Sequence, residues 1–294
     1  MFSIISKGQK KRQINDFYKK LTSKADPSSS FCKVYAPKIF ASLRKTWGVS
    51  EEDFAKELAK VKGGKTGAGK SKMLMWTSKT GRLFLKTMSL HEITKIMEIL
   101  DTYVKYMKRN NKSLLPKFLG IYMEHGVYFL VQNNLQYGLE KSNSWVYDIK
   151  GSHRHRTTEF NKKNYVGKDN NFGSSSLYFP HAKQLLRQMK KDSLFLSKNS
   201  LMDYSLLVIL NTNTKQCPSE IYQFKGSNPS PKVNTCIHIG IIDILQTYNL
   251  KKKLERFYKT KRIFKVYKSE VSALDPKNYK RRFDKFCKSI VKTK

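Results

Sequence analysis

The segment GGKTGAGKS at residues 63–71 constrains the fold of this 294-residue chain more than any other short stretch. Through Gly64, Gly69, Lys70 and Ser71 it matches the phosphate-binding P-loop pattern G-x-x-x-x-G-K-[ST]. That loop needs a buried strand before it and a helix after it, because the helix N-terminus must meet the phosphates. The flanking sequence predicts another order, so a parallel P-loop sheet is not expected.

A helix is predicted before the glycine segment and a hairpin after it. The pattern is helical from 31 to 62, and in SEEDFAKELAKVK a cap at Ser50 precedes Phe54, Leu58 and Val61 on one helical face. In MLMWTSKTGRLFLKTM, two apolar runs flank a polar turn at 78–81, which is typical of a hairpin. A glycine-rich flap between two antiparallel strands is the other known cover for nucleotide phosphates. A solvated loop is the non-functional alternative.

The charge of the chain predicts a polyanionic partner. Lys and Arg number 58 against 22 Asp and Glu, which gives a formal net charge of +36. Nucleic acid, an anionic membrane face and a highly phosphorylated substrate all fit this charge. A hydrophobic fraction of 39% suffices for a packed core and argues against disorder throughout the chain.

No membrane span, secretory signal or metal-binding cysteine pattern is predicted. The longest apolar stretch, HIGIIDIL, is too short to cross a bilayer, and the apolar part of MFSIISKGQKKRQ is too brief for a signal peptide. The four cysteines are scattered, and we expect them to be the reduced thiols of a cytosolic protein.

The first half of the chain predicts an antiparallel sheet with a long helix packed on it. Residues 1–30 are basic and polar and are expected to form a flexible arm. Beyond the hairpin, SLHEITKIMEILDTYVKYMKRN is amphipathic, and PKFLGIYME and GVYFLVQNNL have strand patterns. The apolar stripe of the long helix comprises Ile93, Ile96, Met97, Leu100, Val104 and Met107.

The second half alternates strand and helix patterns. WVYDIKGS, DYSLLVIL and IHIGIIDIL are predicted strands, and HAKQLLRQMKKDSLFL is a predicted helix. The polar stretch from 211 to 235 is predicted to be a loop. The chain closes with a basic helix that carries Phe283, Phe286 and Ile290 on one face.

Two aspartates interrupt apolar strand patterns, Asp203 in LMDYSLL and Asp243 in GIIDIL. Burying a carboxylate among leucines and isoleucines costs several kcal/mol unless a metal ion, a lysine or a substrate hydroxyl compensates. Phosphoryl transfer uses one acid to hold Mg²⁺ on the phosphates and one to orient the attacking hydroxyl. The structural alternative is a pair of strand-end aspartates that cap turns.

Lys86 and Glu92 stand where kinases carry a nucleotide-binding pair. A strand lysine beneath a glycine flap reaches the phosphates, and a helix glutamate often pairs with it. For Lys86 in LFLKTM, the alternative is an edge-strand lysine in water. For Glu92, the alternative is a capping box with Ser89.

The segment YDIKGSHRHRTT gathers charged residues around a Gly-Ser turn. It carries Asp148, Lys150, Arg154 and Arg156. Clustered cations at a tight turn can hold phosphate oxygens, and the alternative is a solvated basic loop.

Together these stretches resemble the phosphatidylinositol phosphate kinase family from about residue 31 to 290. The matching segments are VYAPKIFASLRKTWGVSEEDF, LFLKTM, LLPKFLGIY, NNL, YDIKGS, LMDYSLLV, IGIIDILQTYNLKKKLE and DPKNYKRRFDKF. The resemblance implies an α+β, two-lobed fold of antiparallel sheets with packed helices, distantly related to protein kinases. It implies an N-terminal ATP-binding lobe at 31–135 and a C-terminal catalytic lobe at 136–294. An activation loop at about 249–275 would read the lipid and dock on the membrane.

The resemblance also implies roles for single residues. Asp203 matches the catalytic aspartate, Asp243 the metal-binding aspartate and Lys86 the ATP-binding lysine. The residues that match the element near the phosphates and the inositol headgroup are Asp148, Lys150 and Arg156. The hinge to the adenine falls at Asn133, Asn134 and Leu135. Further ATP contacts are expected from Glu92 and from the flap residues Gly67, Gly69 and Lys70, of which Lys70 is an extra lysine relative to the family.

The implied activity is transfer of the γ-phosphate of ATP, with Mg²⁺, to the inositol ring of a phosphatidylinositol monophosphate. Glu255 resembles the acidic residue of 5-kinases that act on the 4-phosphate, whereas 4-kinases that act on the 5-phosphate carry a small residue there. Endosomal 5-kinases that act on the 3-phosphate also carry the acidic residue. Those 3-phosphate enzymes are usually much larger, so conversion of the 4-phosphate to the 4,5-bisphosphate is favoured, and the other two reactions stay open.

The positive charge then has a use at an anionic membrane, where each basic residue near the surface contributes about 1 kcal/mol. Contacts with substrate and membrane are expected from Lys251, Lys252, Lys253 and Glu255. The expected location is cytoplasmic and peripheral at the cytosolic face of membranes, with the plasma membrane favoured. No nucleic-acid partner is expected, and a homodimer stays open. The non-enzyme alternative is a basic protein that binds nucleic acid or phosphoinositides without turnover.

Overall fold

The computed structural model describes residues 32–66, 73–139, 144–159, 166–212, 222–225, 233–247 and 275–293. The predicted arm at 1–30, the flap tip and nearly all of the predicted activation loop lie outside these residues. The chain divides into two compact units. One contains the residues up to Val104 together with Pro116–Gly138, and the other contains Lys105–Leu115 and the residues from Leu139 onward.

The first unit is built on an antiparallel sheet, as predicted, and this sheet has six described strands. Its order is β1-β5-β6-β4-β3-β2, and every neighbouring pair is antiparallel. The strands are β1 (Cys32–Tyr35), β2 (Val61–Thr66), β3 (Leu74–Ser78), β4 (Leu83–Met88), β5 (Phe118–Glu124) and β6 (Val127–Asn133). The helices are α1 (Pro37–Thr46), α2 (Glu51–Leu58) and α3 (Leu90–Arg109), and the last five residues of α3 belong to the second unit.

The predicted helical stretch from 31 to 62 is correct for α1 and α2 and wrong at both ends. Ala36 adopts a left-handed backbone before Pro37, and a proline fits the first turn of a helix but not its interior. The residues before it therefore pair with β5 as β1. The predicted cap is confirmed, since the Ser50 side chain accepts a hydrogen bond from the Asp53 N–H at 3.0 Å. Val61 belongs to β2 rather than to the helix.

The glycine segment connects two antiparallel strands. β2 contains the first four residues of the segment, and β3, which follows the segment, pairs with β2 from Val61–Ser78 to Thr66–Leu74. A P-loop is excluded because a strand follows where that motif needs a helix. Two antiparallel strands on either side of residues 67–72 are the arrangement expected of a flap. The predicted hairpin after it is also confirmed, since β3 and β4 are antiparallel.

The helix α3 was predicted correctly, but its buried face is rotated from the predicted stripe. Met97 is 37% exposed, whereas Ile99 and Tyr103 are buried. The Tyr103 hydroxyl donates to the Pro116 carbonyl at 2.6 Å and accepts from the Phe118 N–H at 3.0 Å. One buried side chain thereby fixes the start of β5 against the helix.

The second unit is built on a seven-stranded sheet with the order β13-β9-β11-β12-β10-β7-β8. Its strands are β7 (Ser144–Ile149), β8 (Val166–Gly167), β9 (Ser176–Phe179), β10 (Ser205–Asn211), β11 (Tyr222–Lys225), β12 (Val233–Ile242) and β13 (Val291–Thr293). Its helices are α4 (Asp169–Phe172), α5 (Ala182–Lys198) and α6 (Pro276–Ile290). Only the β7–β8 and β9–β13 pairs in the described sheet are parallel.

Three predictions for this unit are corrected. The polar stretch predicted as a loop contains β11, which pairs with both β9 and β12, and such pairing is not visible in four residues of sequence. In α6, Phe286 is only half-buried, while Tyr279 and Cys287 join Phe283 and Ile290 in the core. Cys236 is disulfide-bonded, so the expectation of reduced thiols is wrong for this residue.

Among the described helices, none combines the length and the apolar character that a bilayer crossing requires.

We expect Tyr103→Phe to lower the free energy of unfolding by about 1–3 kcal/mol, because it leaves the buried Phe118 N–H and Pro116 carbonyl without this partner. Tyr137→Phe is the control, since Tyr137 is 49% exposed, and it should change stability by less than about 0.5 kcal/mol. Urea unfolding measures both, and equal effects would contradict the assigned role of the Tyr103 hydroxyl.

Candidate functional site

The register of the second sheet brings Asp203 and Asp243 to one end of neighbouring strands. β10 and β12 are antiparallel, and Ser205 lies opposite Ile242. Asp203 stands two residues before Ser205, and Asp243 directly follows Ile242. The two acids are forty positions apart in the sequence, yet both lie where this strand pair ends.

The backbone around these two acids departs from a regular ladder. Pairing resumes at Leu201 opposite Thr247, so the three residues 202–204 face the four residues 243–246. Within this interruption, Asp203 has φ 64° and Asp243 has φ 57°. A left-handed backbone costs a non-glycine residue about 1–2 kcal/mol, and aspartate tolerates it better than most. Outliers of this kind cluster at functional sites.

The expectation of two buried carboxylates is wrong. Asp243 is exposed, and the Asp203 side chain is 26% exposed. Both residues lie just beyond the strands rather than within them, where the apolar layers no longer cover them. The free-energy cost of removing these carboxylates from water is therefore smaller than the sequence suggested, and both are accessible to a ligand.

The end of β7 adds a cation to the same place. β7 is antiparallel to β10, with Asp148 opposite Leu207, so Lys150 follows at the end of the sheet that carries Asp203. The Lys150 ammonium lies 2.9 Å from Asp203 Oδ1 and 2.7 Å from the Asp203 carbonyl oxygen. Lys150 and Asp203 thus form an ion pair with side chains that are 14% and 26% exposed.

Arg156 is held between two carboxylates. Its Nε donates to Asp169 Oδ2 at 2.6 Å, and its terminal nitrogen donates to the Asp148 carbonyl and, at 3.1 Å, to Asp148 Oδ1. Burial by itself lowers the pKa of Arg156, but Asp148 and Asp169 raise that pKa above its ordinary value. The charge of Arg156 is thus balanced by two acids within the protein. Its predicted contact with a phosphate stays a prediction.

Asp169 organises the Gly-Ser turn and was not identified from the sequence. Its Oδ1 accepts hydrogen bonds from the backbone N–H groups of Lys150, Gly151 and Ser152 at 2.9, 2.7 and 3.1 Å. The residue is only 2% exposed. The polar run KDNN was the available signal, since Asp and Asn favour helix starts and local backbone bonds. Nothing in it indicates a partner nineteen residues upstream.

The two residues after Asp169 hold the rest of the same loop. Asn170 donates to the His153 carbonyl at 2.9 Å and to the Thr157 hydroxyl at 2.8 Å. Asn171 accepts from the Thr158 N–H at 2.9 Å. The short helix α4 therefore clamps the segment from 150 to 158 along its length.

The backbone next to Asp203 is fixed from the other side by α6. The Tyr279 hydroxyl donates to the Tyr204 carbonyl, and the two rings meet edge to face at 4.7 Å. Burial raises the pKa of Tyr279 well above its ordinary value, so the hydroxyl stays a donor. A buried helix thus supports the turn that presents Asp203.

In the first unit, Lys86 is buried rather than solvated. β4 lies inside the sheet between β3 and β6, and Lys86 is 6% exposed. The alternative of an edge-strand lysine in water is therefore wrong.

The capping interpretation of Glu92 is confirmed. The Ser89 N–H and hydroxyl donate to Glu92 Oε2 at 2.9 and 2.8 Å, and the Glu92 N–H donates back to the Ser89 hydroxyl at 3.3 Å. A pairing of Glu92 with Lys86 stays a prediction.

The predicted hinge residues fix loops of the first unit. Asn133 Oδ1 accepts from the Lys117 N–H at 2.8 Å, and the Asn134 amide donates to the Gly81 carbonyl at 2.7 Å. Leu135 is half-buried in the turn that follows. Both asparagine side chains are therefore engaged within the unit.

Several predicted site residues lie outside the described part of the chain: Gly67, Gly69, Lys70, Lys251, Lys252, Lys253 and Glu255. Within the described residues, no group of three or more His, Cys, Asp or Glu side chains is arranged to hold a metal ion.

The chain is similar to phosphatidylinositol phosphate kinases over most of its length. The family model described as phosphatidylinositol-4-phosphate 5-kinase matches residues 63–233 and 223–290. A probable phosphatidylinositol phosphate kinase of Dictyostelium discoideum is 27% identical, over 88% of this chain and 47% of its own length. A phosphatidylinositol 4-phosphate 5-kinase of Plasmodium falciparum is 28% identical, over 88% of this chain and 18% of its own.

A relative with a different name is equally similar. The human phosphatidylinositol 5-phosphate 4-kinase type-2 alpha is 27% identical, over 90% of this chain and 79% of its own length. The chain therefore spans half or less of the first two relatives but most of this one.

We expect Gly151→Ala to lower the free energy of unfolding by about 2–5 kcal/mol, through a left-handed backbone and a clash. Gly151 has φ +68°, and an added Cβ would lie 2.6 Å from Phe286 Cβ. Gly138→Ala is the matched control, because Gly138 has φ +76° with no atom within 4 Å of an added Cβ. It should cost only about 1–2 kcal/mol. Equal losses in urea unfolding would show that the contact with Phe286 is unimportant.

Proposed function

The chain belongs to the phosphatidylinositol phosphate kinase family, and from that premise we propose that it is an ATP-dependent lipid kinase. It transfers the γ-phosphate of ATP to the inositol ring of a phosphatidylinositol monophosphate. The observation that carries this proposal is the ion pair of Asp203 with Lys150 at the end of the sheet where Asp243 also follows its strand.

The two acids divide the chemistry. Asp203 accepts a hydrogen bond from the attacking inositol hydroxyl and takes its proton as the new bond to the γ-phosphorus forms and the bond from that phosphorus to the leaving ADP breaks. Asp243, exposed at the end of β12, supplies oxygen ligands of the kind that Mg²⁺ prefers. Mg²⁺ is usually bound by one or two carboxylates together with substrate phosphates, which fits a single exposed aspartate. Bound there, the ion would neutralise charge on the phosphates.

Lys150 has two tasks in this proposal. Its hydrogen bonds to the carboxylate and carbonyl oxygens of Asp203 fix the orientation of the acid. Its positive charge stands beside the group that receives the proton, where it stabilises the negative charge of the transferred phosphoryl group. Asp148 and Arg156 support this arrangement from the end of β7.

The residues of the first unit are assigned to ATP. Lys86 binds phosphate oxygens, and its burial would strengthen that contact because fewer waters compete. The flap residues Gly67, Gly69 and Lys70 cover the phosphates. The stretch Asn133–Leu135 contacts the adenine, and Glu92 keeps its capping role when it is not paired with Lys86.

We favour phosphatidylinositol 4-phosphate as the substrate because Glu255 is acidic. The relatives include proteins named for each of two positions on the ring, so the family alone gives only a phosphatidylinositol monophosphate. The net charge of +36 suits a protein that works peripherally at an anionic membrane. Lys251, Lys252 and Lys253 are assigned to that surface.

We expect Asp203→Asn to reduce phosphoryl transfer by about 10²–10⁴-fold, because the variant lacks a general base. The melting temperature should stay within a few degrees of the wild type, since Asp203 is partly exposed. Asp284→Asn makes the same chemical change on α6, where Asp284 pairs with Lys280, and should retain transfer. Full activity of Asp203→Asn with labelled ATP would end the assignment.

The lipid preference is tested with labelled ATP and vesicles that contain 3-, 4- or 5-monophosphorylated phosphatidylinositol. We expect the wild type to prefer the 4-phosphate by at least about tenfold, a difference of about 1.4 kcal/mol in transition-state binding. Glu255→Ala should lose most of that preference. An unchanged preference would remove Glu255 from the specificity determinants, and RNA binding without turnover of ATP would favour the non-enzyme alternative.

A further inference from the structure

We propose that Asp169 is a positioning residue that holds Lys150 against Asp203 by clamping the backbone of the 150–152 turn. The inference rests on the proposed phosphoryl transfer, for which it adds a residue that touches neither substrate nor nucleotide. The two carboxylate oxygens of Asp169 have different partners.

Oδ1 of Asp169 fills the turn. Three successive backbone N–H groups, those of residues 150–152, converge on this one oxygen at 2.7–3.1 Å. Successive amides around a left-handed glycine form a small anion-binding concavity, and Gly151 has φ +68°. Because an internal carboxylate occupies the concavity, the turn cannot hold a phosphate with its backbone. The positive charge that this turn presents to a ligand is that of the Lys150 side chain.

Oδ2 of Asp169 connects the turn to the end of β7. It accepts from Arg156 Nε, and the same guanidinium binds the carbonyl and carboxylate of Asp148. The buried negative charge of Asp169 is therefore compensated by an arginine as well as by three amides. Asp169 thereby holds the 150–152 turn to the end of β7, the strand that precedes it.

Lys150 is thereby held at both of its ends. Its backbone N–H lies 2.9 Å from Asp169, and its ammonium lies 2.9 Å from Asp203. A lysine side chain has about 2 kcal/mol of rotamer entropy, which opposes holding its ammonium at one place. A fixed backbone limits the positions that the ammonium can reach, so Lys150 contacts Asp203 more often. Displacement of a catalytic group by about 1 Å can cost a hundredfold in rate.

The decisive variant is Asp169→Asn, which keeps an amide oxygen for the turn and replaces the other oxygen with a donor that repels Arg156. We expect kcat to fall by about tenfold or more while KM for ATP stays within about twofold, because the loss acts through Lys150 in the transition state. The rate at which an amine-acylating reagent modifies Lys150, followed by mass spectrometry, should rise several-fold.

A double-mutant cycle separates positioning from a general effect on the fold. In a Lys150→Met background, measured by single-turnover transfer from labelled ATP, Asp169→Asn should have little further effect because the group it positions is gone. The same fold-loss in both backgrounds would overturn the proposal. So would unchanged acylation of Lys150 in a folded Asp169→Asn protein.

Asp192→Asn is the matched control for removing a buried acid. Asp192 is fully buried in the same unit and accepts hydrogen bonds from Tyr106, Ser113, Gln188 and the Leu114 N–H. It should lower the melting temperature but leave kcat and the acylation of Lys150 unchanged. Increased acylation of Lys150 in this control would assign the effect to loosening of the unit and sink the proposal.

A replacement variant covers a failure to fold, and the acylation readout separates this proposal from the proposed function. If Asp169→Asn does not fold, Asp169→Glu replaces it, since it keeps the charge but moves the clamp by one methylene, and the same expectations apply. The acylation of Lys150 does not depend on activity. A wild type that phosphorylates no phosphoinositide, combined with faster acylation in the variant, would therefore reject the proposed function alone.

Discussion

The antiparallel pairing of β10 with both β7 and β12 is the interaction on which the candidate site depends. Neighbouring strands lie about 4.8 Å apart, so residues just beyond adjoining strand ends lie in the same region whatever their separation in sequence. Asp203 precedes β10, Asp243 follows β12 and Lys150 follows β7, which places all three at one end. A one-residue slip of β10 would turn its side chains to the opposite face and undo the arrangement.

Charge at this end of the sheet is balanced in two different ways. Asp169 is buried and fully engaged by backbone amides and Arg156, so it contributes order rather than reactivity. Asp203 and Asp243 are more accessible and stand on strained backbone, so they remain available to a ligand. Burial thus distinguishes Asp169, which has a structural role, from Asp203 and Asp243, whose carboxylates a ligand can reach.

Local patterns predicted much of the fold, and the errors have physical causes. The long helix, the hairpin and the two strands next to Asp203 and Asp243 followed from periodicity and turn chemistry. β11 was missed because four residues become a strand only through their two partners. Asp243 was expected to be buried because its neighbours in sequence are apolar, but its exposure depends on where the sheet ends.

The sequence by itself determined the chemical inventory of this protein: the basic charge, the strand-forming runs, and the lysine and two aspartates in kinase order. Composition and periodicity are local properties, and they can be read one segment at a time. Only the tertiary structure decided that Lys150 reaches Asp203 and that Lys86 is buried. It also decided that Asp148 and Asp169 balance the positive charge of Arg156. Those contacts join residues far apart in the chain, and they exist only because strand pairing and the packing of α4 and α6 bring them within hydrogen-bonding distance.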